Sequence, residues 1–370
     1  MIEGGVLPSQ TIRKFISKGL IKSKTKIHPS QIQPATLDVR VGENVWRVPA
    51  SFLLEKGRTM KEKLEEFNSG SYRLDISKKT FLESGKTYVI ELQEELNLPK
   101  NVGARSNPKS STGRLDVFVR LLTENGESFE QVPYGYKGKL YLTIYSMSFD
   151  LIIIKGVALN QLRFYMGENF VLSTNELKLL YQHEALLFDK KENPIMLYDT
   201  NLKEDGIFLT IDLDEDIIGY RAKKNAQPID LTKKRYYDKE HFWEPILKPQ
   251  NRSLILDPHY FYIFKSKEKI RIPLGYSCEM VPFHSGIGEF RSHYAGFFDP
   301  GFGYGRGEIK GSHAVLEIRM RDVPMEVFDG QIIVKMIFER NIEEPDVVYG
   351  DSKLKTNYQG QSLRLGKHFT

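Results

Sequence analysis

The chain has 370 residues, enough for two domains of ordinary size, each with its own core. Its 40% hydrophobic and 27% charged residues exclude a disordered chain. The net charge of +5 suits a phosphate-bearing ligand, but Lys and Arg are scattered, without basic runs or basic–aromatic stripes, so no nucleic-acid partner is expected. The longest aliphatic run, Leu151-Ile152-Ile153-Ile154, is far too short to span a membrane, and no membrane partner is expected. The N-terminus lacks the apolar core and cleavage site of a signal peptide, and the single cysteine, Cys278, cannot form an intramolecular disulfide; both fit a cytoplasmic setting.

In chain order, Ile12, Phe15, Ile16 and Leu20 fall at helical spacing, and Met60, Leu64 and Phe67 predict a short helix over 59–67. Alternation from Lys139 to Tyr145 predicts a strand. Ser173 and Glu176 form a capping box ahead of Leu177, Leu180 and Tyr181, predicting a helix. Alternation returns over Ala314–Arg319, placing Leu316 and Ile318 on one face and Val315, Glu317 and Arg319 on the other. With 22 Phe, 19 Tyr and short β-branched runs between Gly/Pro turns, the chain reads as mainly β, a sandwich or jelly roll in each half.

Aligned on itself with a shift of 174 residues, the chain gives matches in order. Thr36-Leu37-Asp38-Val39 falls on Thr210-Ile211-Asp212-Leu213, Trp46 on Tyr220, and Tyr88-Val89-Ile90 on Tyr262-Ile263-Phe264. Pro108 falls on Pro282, Leu142 on Leu316 and Phe164 on Phe338. A period this long implies a duplicated domain. The expected domains are 1–170 and 171–370, with the boundary in the polar stretch 167–174.

Three segments carry chemistry. Lys109-Ser110-Ser111-Thr112-Gly113-Arg114 concentrates hydroxyls and cations that can wrap phosphate oxygens, although it lacks Walker spacing and reads equally as a polar turn. The segment Ala295–Gly303 is a glycine- and aromatic-rich hairpin able to bring backbone close to a flat base, or simply to fill core. Glu317 is a candidate general base if pocketed and a surface carboxylate if not. His284, His293 and His313 are near in sequence, but neither HxE…PCxxC nor HExxH occurs, which excludes a zinc deaminase.

These segments resemble the dUTPase/dCTP-deaminase superfamily, most closely its double-length bacterial dCTP deaminases. Gln33–Gly42 is similar to the superfamily's first motif, and Lys109–Arg114 to its Arg-Ser-Ser-x-x-Arg phosphate motif. Ala295–Gly303 is similar to its Ala-x-x-Ile-Asp-Pro-Gly hairpin, Val315-Leu316-Glu317 to its Val-Leu-Glu strand, and Asn357–Gln361 to its C-terminal lid. The resemblance implies two tandem dUTPase-like domains. The first carries the phosphate motif; the second, diverged, carries the hairpin, Glu317 and the lid. It implies Ser110, Arg114 and Glu317 as catalytic, with Lys109, Ser111, Ala295, Asp299, Tyr358 and Gln361 binding substrate. No protein-bound metal is implied; Mg²⁺ arrives with the nucleotide triphosphate, and zinc plays no part. The implied reaction is dCTP to dUTP and ammonia, feeding pyrimidine deoxynucleotide synthesis, with homo-oligomers in keeping with the superfamily.

Each half keeps part of the implied site. Thr143 stands at the Glu317 position, Thr123 and Pro133 stand where Ala295 and Asp299 do, and the second-half phosphate motif has decayed to Val281–Gly286. The sequence therefore leads to the expectation of one composite site per chain. A dUTP diphosphatase or bifunctional enzyme and a non-catalytic nucleotide-binding regulator are the alternatives.

Overall fold

The computed structural model describes residues 4–67, 72–124, 126–282, 290–292, 296–352, 354, 356 and 358–370. They fall into two compact units, neither continuous in sequence. The first holds Leu7–Gly167, Lys224–Asp238 and Gly366–Thr370; the second holds Met1–Val6, Glu168–Lys223 and Lys239–Leu365. Both are mainly β. No described helix is long and apolar enough to cross a membrane.

In the first unit, α1 (Ser9–Ser17), α2 (Met60–Glu66) and α3 (Ser110–Gly113) accompany seven main strands. These are β1 (Leu37–Val48), β2 (Thr87–Asn97), β3 (Val102–Pro108), β4 (Val117–Thr123), β5 (Lys137–Ser146), β6 (Leu151–Ile153) and β7 (Ala158–Met166). One sheet runs β4-β5-β2-β1-β7-β3, with Gln131–Val132 beyond β3. The predicted helix at 59–67 is α2, and its Thr59–Glu62 capping box satisfies two otherwise unpaired N–H groups.

The second unit starts with α4 (Thr174–His183), which carries the predicted Ser173–Glu176 capping box and buries Leu177 and Tyr181. Its main strands are β8 (Gly206–Thr210), β9 (Ile217–Ala222), β10 (Phe261–Ile270), β11 (Tyr276–Pro282), β12 (Phe297–Phe298), β13 (Ser312–Met320) and β14 (Ile332–Arg340). One sheet contains β9-β10-β13, the other β8-β14-β11-β12. Ala314, Leu316, Ile318 and Met320 of β13 enter the core with Phe264, Cys278 and Phe338, so alternation predicted the buried face.

Strand register confirms the duplication. Thr143 pairs with Val89 and Ile144 with Tyr88; Glu317 pairs with Ile263 and Ile318 with Tyr262, each pair displaced by the 174-residue period. Phe164 opposite Ala104 is repeated by Phe338 opposite Cys278, and Trp46 opposite Val89 by Tyr220 opposite Ile263. One sequence match fails. Leu37 pairs with Leu162, but its counterpart across β14 is Ile207, opposite Met336, not Ile211. Thr36–Val39 and Thr210–Leu213 therefore look alike without being equivalent. The reason is an insertion: β1 passes through a bulge between Val41 and Val45, whereas the extra residues in the second unit split the strand into β8 and β9.

Candidate functional site

Backbone geometry shapes the Lys109–Arg114 turn of the first unit. The Lys109 N–H donates to the Leu159 carbonyl at 3.0 Å, holding the turn on β7, and the Lys109 carbonyl accepts from Thr112 at 2.7 Å and Gly113 at 3.0 Å. This single helical turn buries Ser111, Thr112 and Arg114, while Ser110 stays half-buried. The chain then turns at Asp116, held at φ 58°, whose carboxylate accepts from Ser148 Oγ at 2.5 Å. The Lys109 ammonium is ion-paired with Asp38 of β1. The other Asp38 oxygen, Oδ1, is buried and accepts no hydrogen bond among the described residues.

The Asp299–Gly303 hairpin, β13 and the tail of the second unit form one connected assembly. Gly301 (φ 93°) and Gly303 (φ 62°) turn the hairpin. A β-carbon on Gly303 would lie 2.1 Å from the Ile270 carbonyl oxygen, so only glycine fits. Asp299 is buried, and the Pro300 carbonyl accepts from the Tyr349 N–H at 2.9 Å. Gln359 stitches the tail to the hairpin: its Nε2 donates to the Gly301 carbonyl and its Oε1 accepts from the Gly303 N–H, both at 3.0 Å. Gln361 clamps the start of β13, donating to the His313 carbonyl at 3.0 Å and accepting from the His313 N–H at its own carbonyl. Tyr358 is buried in the core of the second unit.

Glu317 lies on the β13 face away from the Leu316 and Ile318 core, yet is only 2% exposed. A carboxylate so removed from water is not an ordinary surface glutamate. Four residues earlier on β13, His313 is pushed down to about 4, first by burial and then by the Lys265 ammonium. Burial keeps the ring neutral, and Nδ1, 2.8 Å from the Ser266 carbonyl, is the nitrogen that carries and donates the proton. At the Glu317 position of the first unit, Thr143 is 3% exposed and its hydroxyl makes no hydrogen bond among the described residues. Val132 pairs with Ala104 as Phe298 pairs with Cys278, so Pro133 occupies the Asp299 position.

The expected residues thus form two sets, Lys109, Ser110, Ser111 and Arg114 in the first unit and Asp299, Glu317, Tyr358 and Gln361 in the second. Ala295 lies outside the described residues. Sequence reasoning missed Gln359 and Asp38 as positioning groups; both sit inside quoted motifs, the tail and Gln33–Gly42, and were within reach.

Sequence models of the dCTP deaminase family match both halves. The C-terminal domain of 2'-deoxycytidine 5'-triphosphate deaminase matches residues 173–369, and its N-terminal domain matches 3–168. A crystal structure of 2'-deoxycytidine 5'-triphosphate deaminase from Agrobacterium tumefaciens is 39% identical, with a TM-score of 0.84. The match covers 93% of this chain and 99% of that one. A protein from Methanosphaerula palustris named "dCTP deaminase, dUMP-forming" is 28% identical over 195 residues, which is 51% of this chain and 97% of the relative. One of the same name from Aquifex aeolicus is 27% identical over 161 residues, 43% of this chain and 80% of the relative.

Proposed function

Because the chain belongs to the 2'-deoxycytidine 5'-triphosphate deaminase family, we propose that it hydrolyses dCTP to dUTP and ammonia without zinc, supplying pyrimidine deoxynucleotide synthesis. The observation that carries this reading is Glu317, a carboxylate 2% exposed on the β13 face opposite the core. In the reaction Glu317 takes a proton from water as the oxygen bonds to cytosine C4, then returns it to the departing amino group. Ser110 and Arg114 orient the water and stabilise the developing charge; Lys109 and Ser111 hold phosphate oxygens. Ala295 reads the pyrimidine edge, Asp299 serves the sugar, and Tyr358 and Gln361 cover the nucleotide. Mg²⁺ accompanies the triphosphate as part of the substrate. Support for zinc-free chemistry comes from the sequence, whose one cysteine, Cys278, is buried in the core.

The reading places a domain boundary near residue 170, in keeping with the limits of the two family matches. It takes the protein to be cytoplasmic and homo-oligomeric. A second reading, continued hydrolysis to dUMP and pyrophosphate, is favoured by the dUMP-forming names of the relatives and by the presence of both Asp299 and Glu317. Incubation with dCTP, and separately with dUTP, in Mg²⁺ decides between them. Ammonia without pyrophosphate is expected from dCTP; equal ammonia and pyrophosphate would establish the second reading, and neither product would overturn both.

A further inference from the structure

The last five residues, Gly366–Thr370, belong to the first unit, with the phosphate-motif turn. A β-carbon on Gly366 would stand 3.7 Å from the Ser111 carbonyl oxygen, 3.8 Å from Arg114 Cβ and 3.6 Å from Leu115 Cδ2. The backbone just before Lys367 therefore rests on the turn itself. The segment is held by the stretch Lys224–Asp238. Arg235 N–H donates to the Lys367 carbonyl and Tyr236 N–H to the His368 carbonyl, both at 2.9 Å. His368 Nδ1 contacts the Lys233 carbonyl at 2.6 Å, and Thr370 N–H donates to the Tyr237 carbonyl at 2.9 Å. That stretch is fixed in turn by the short strand Ile229–Asp230, which pairs in parallel with β6, and by the Lys79–Asp230 ion pair at 2.7 Å.

We propose that Lys367 is a phosphate-binding residue, supplying a second ammonium beside Lys109 for the anionic tail of the nucleotide. This rests on the assignment of Lys109–Arg114 to phosphate binding. The charges around Lys367 are unbalanced: Lys109 and Lys234 repel its ammonium and Asp38 attracts it, but Asp38 is already paired with Lys109. Two cations brought together around one occupied carboxylate, on a segment tied down by backbone hydrogen bonds, lack a counter-anion that a polyphosphate supplies. Burial, then the repulsion of Lys109 and Lys234, pushes Lys367 down to about 8. The other charged groups nearby are Arg114 on the turn, Lys233 and Arg235 on the clamp, Asp230, which is already paired with Lys79, and His368. The last is pushed down to about 4, chiefly by burial and then by Lys367, and does not titrate above neutrality.

The test measures kcat and KM for dCTP from pH 6.5 to 9.5 on full-length wild type, Lys367→Met, Lys367→Arg and Lys109→Met. Lys367→Met keeps the aliphatic stem and is expected to raise KM about tenfold with kcat within about twofold. Lys367→Arg restores KM. In the wild type KM rises as pH passes about 8 and the ammonium deprotonates; in Lys367→Arg that rise disappears, because guanidinium does not titrate there. An unchanged KM in Lys367→Met, or a Lys367→Arg variant as impaired as Lys367→Met, overturns the proposal. If Lys109→Met raises KM while Lys367→Met does not, only the role of Lys367 fails; if neither does, the phosphate assignment fails with it. Should Lys367→Met not fold, the pH profiles of wild type and Lys367→Arg decide the matter.

Discussion

At the residue scale, the duplicated strand places Glu317 and Thr143 at one register position with opposite chemistry. Glu317→Gln keeps shape and hydrogen-bonding capacity but removes the base, so kcat should fall about a thousandfold while dCTP binding, measured by calorimetry, stays within a few-fold. Thr143 has no carboxylate to lose, and Thr143→Ala should leave kcat unchanged. Its buried hydroxyl makes no hydrogen bond among the described residues. Thr143→Val should therefore raise stability by about 1 kcal/mol in urea unfolding; a loss of stability would show that the hydroxyl is satisfied. Alternation in the sequence assigned Glu317 to the face away from Leu316 and Ile318, and the structure agrees. That this face is nevertheless closed to water was not legible, because burial depends on what the rest of the chain lays over a strand.

At the element scale, the hairpin, tail and clamp are held by particular bonds. Gly303→Ala forces a methyl onto the Ile270 carbonyl at a positive φ and should cost more than about 2 kcal/mol, read as a lower thermal midpoint. In the clamp, burial opposes ionisation of Asp230, but the Lys79 ammonium and the Thr232 hydroxyl and N–H outweigh it and lower its pKa to about 2. A carboxyl depressed on folding stabilises above its unfolded value near 4 and loses that contribution as pH falls through about 2. Because Lys79 is half exposed and water screens the pair, the contribution is about 1 kcal/mol. Asp230→Asn should lower stability by that amount at pH 7 and flatten its fall between pH 4 and 2. The helix at 59–67 was legible from its apolar spacing and the one after Ser173 from its capping box, because both signals are local; the clamp was not, since its partners lie far apart in sequence.

At the scale of the whole molecule, the curated relatives match about half of this chain, whereas the Agrobacterium structure matches nearly all of it, as a duplicated architecture requires. The two units are not the two halves of the sequence: Lys224–Asp238 and Gly366–Thr370 complete the first unit from positions beyond the repeat boundary. A fragment of residues 1–170 should therefore be less soluble and less cooperative in unfolding than the full chain, because β6 would lose its Ile229–Asp230 partner and the phosphate turn its cover. Sharp, cooperative unfolding of that fragment would show these segments to be dispensable. The sequence by itself determined the β class, the duplication, the family and most of the candidate residues, because alternation, caps and motifs are written in neighbouring positions. Only the tertiary structure decided that Thr36–Val39 and Thr210–Leu213 are not equivalent, that Glu317 is buried, and that Gly366, just before Lys367, rests on the phosphate-motif turn. Register across strands, exclusion of water and contacts between distant segments arise from the packing of the folded chain, which no local pattern encodes.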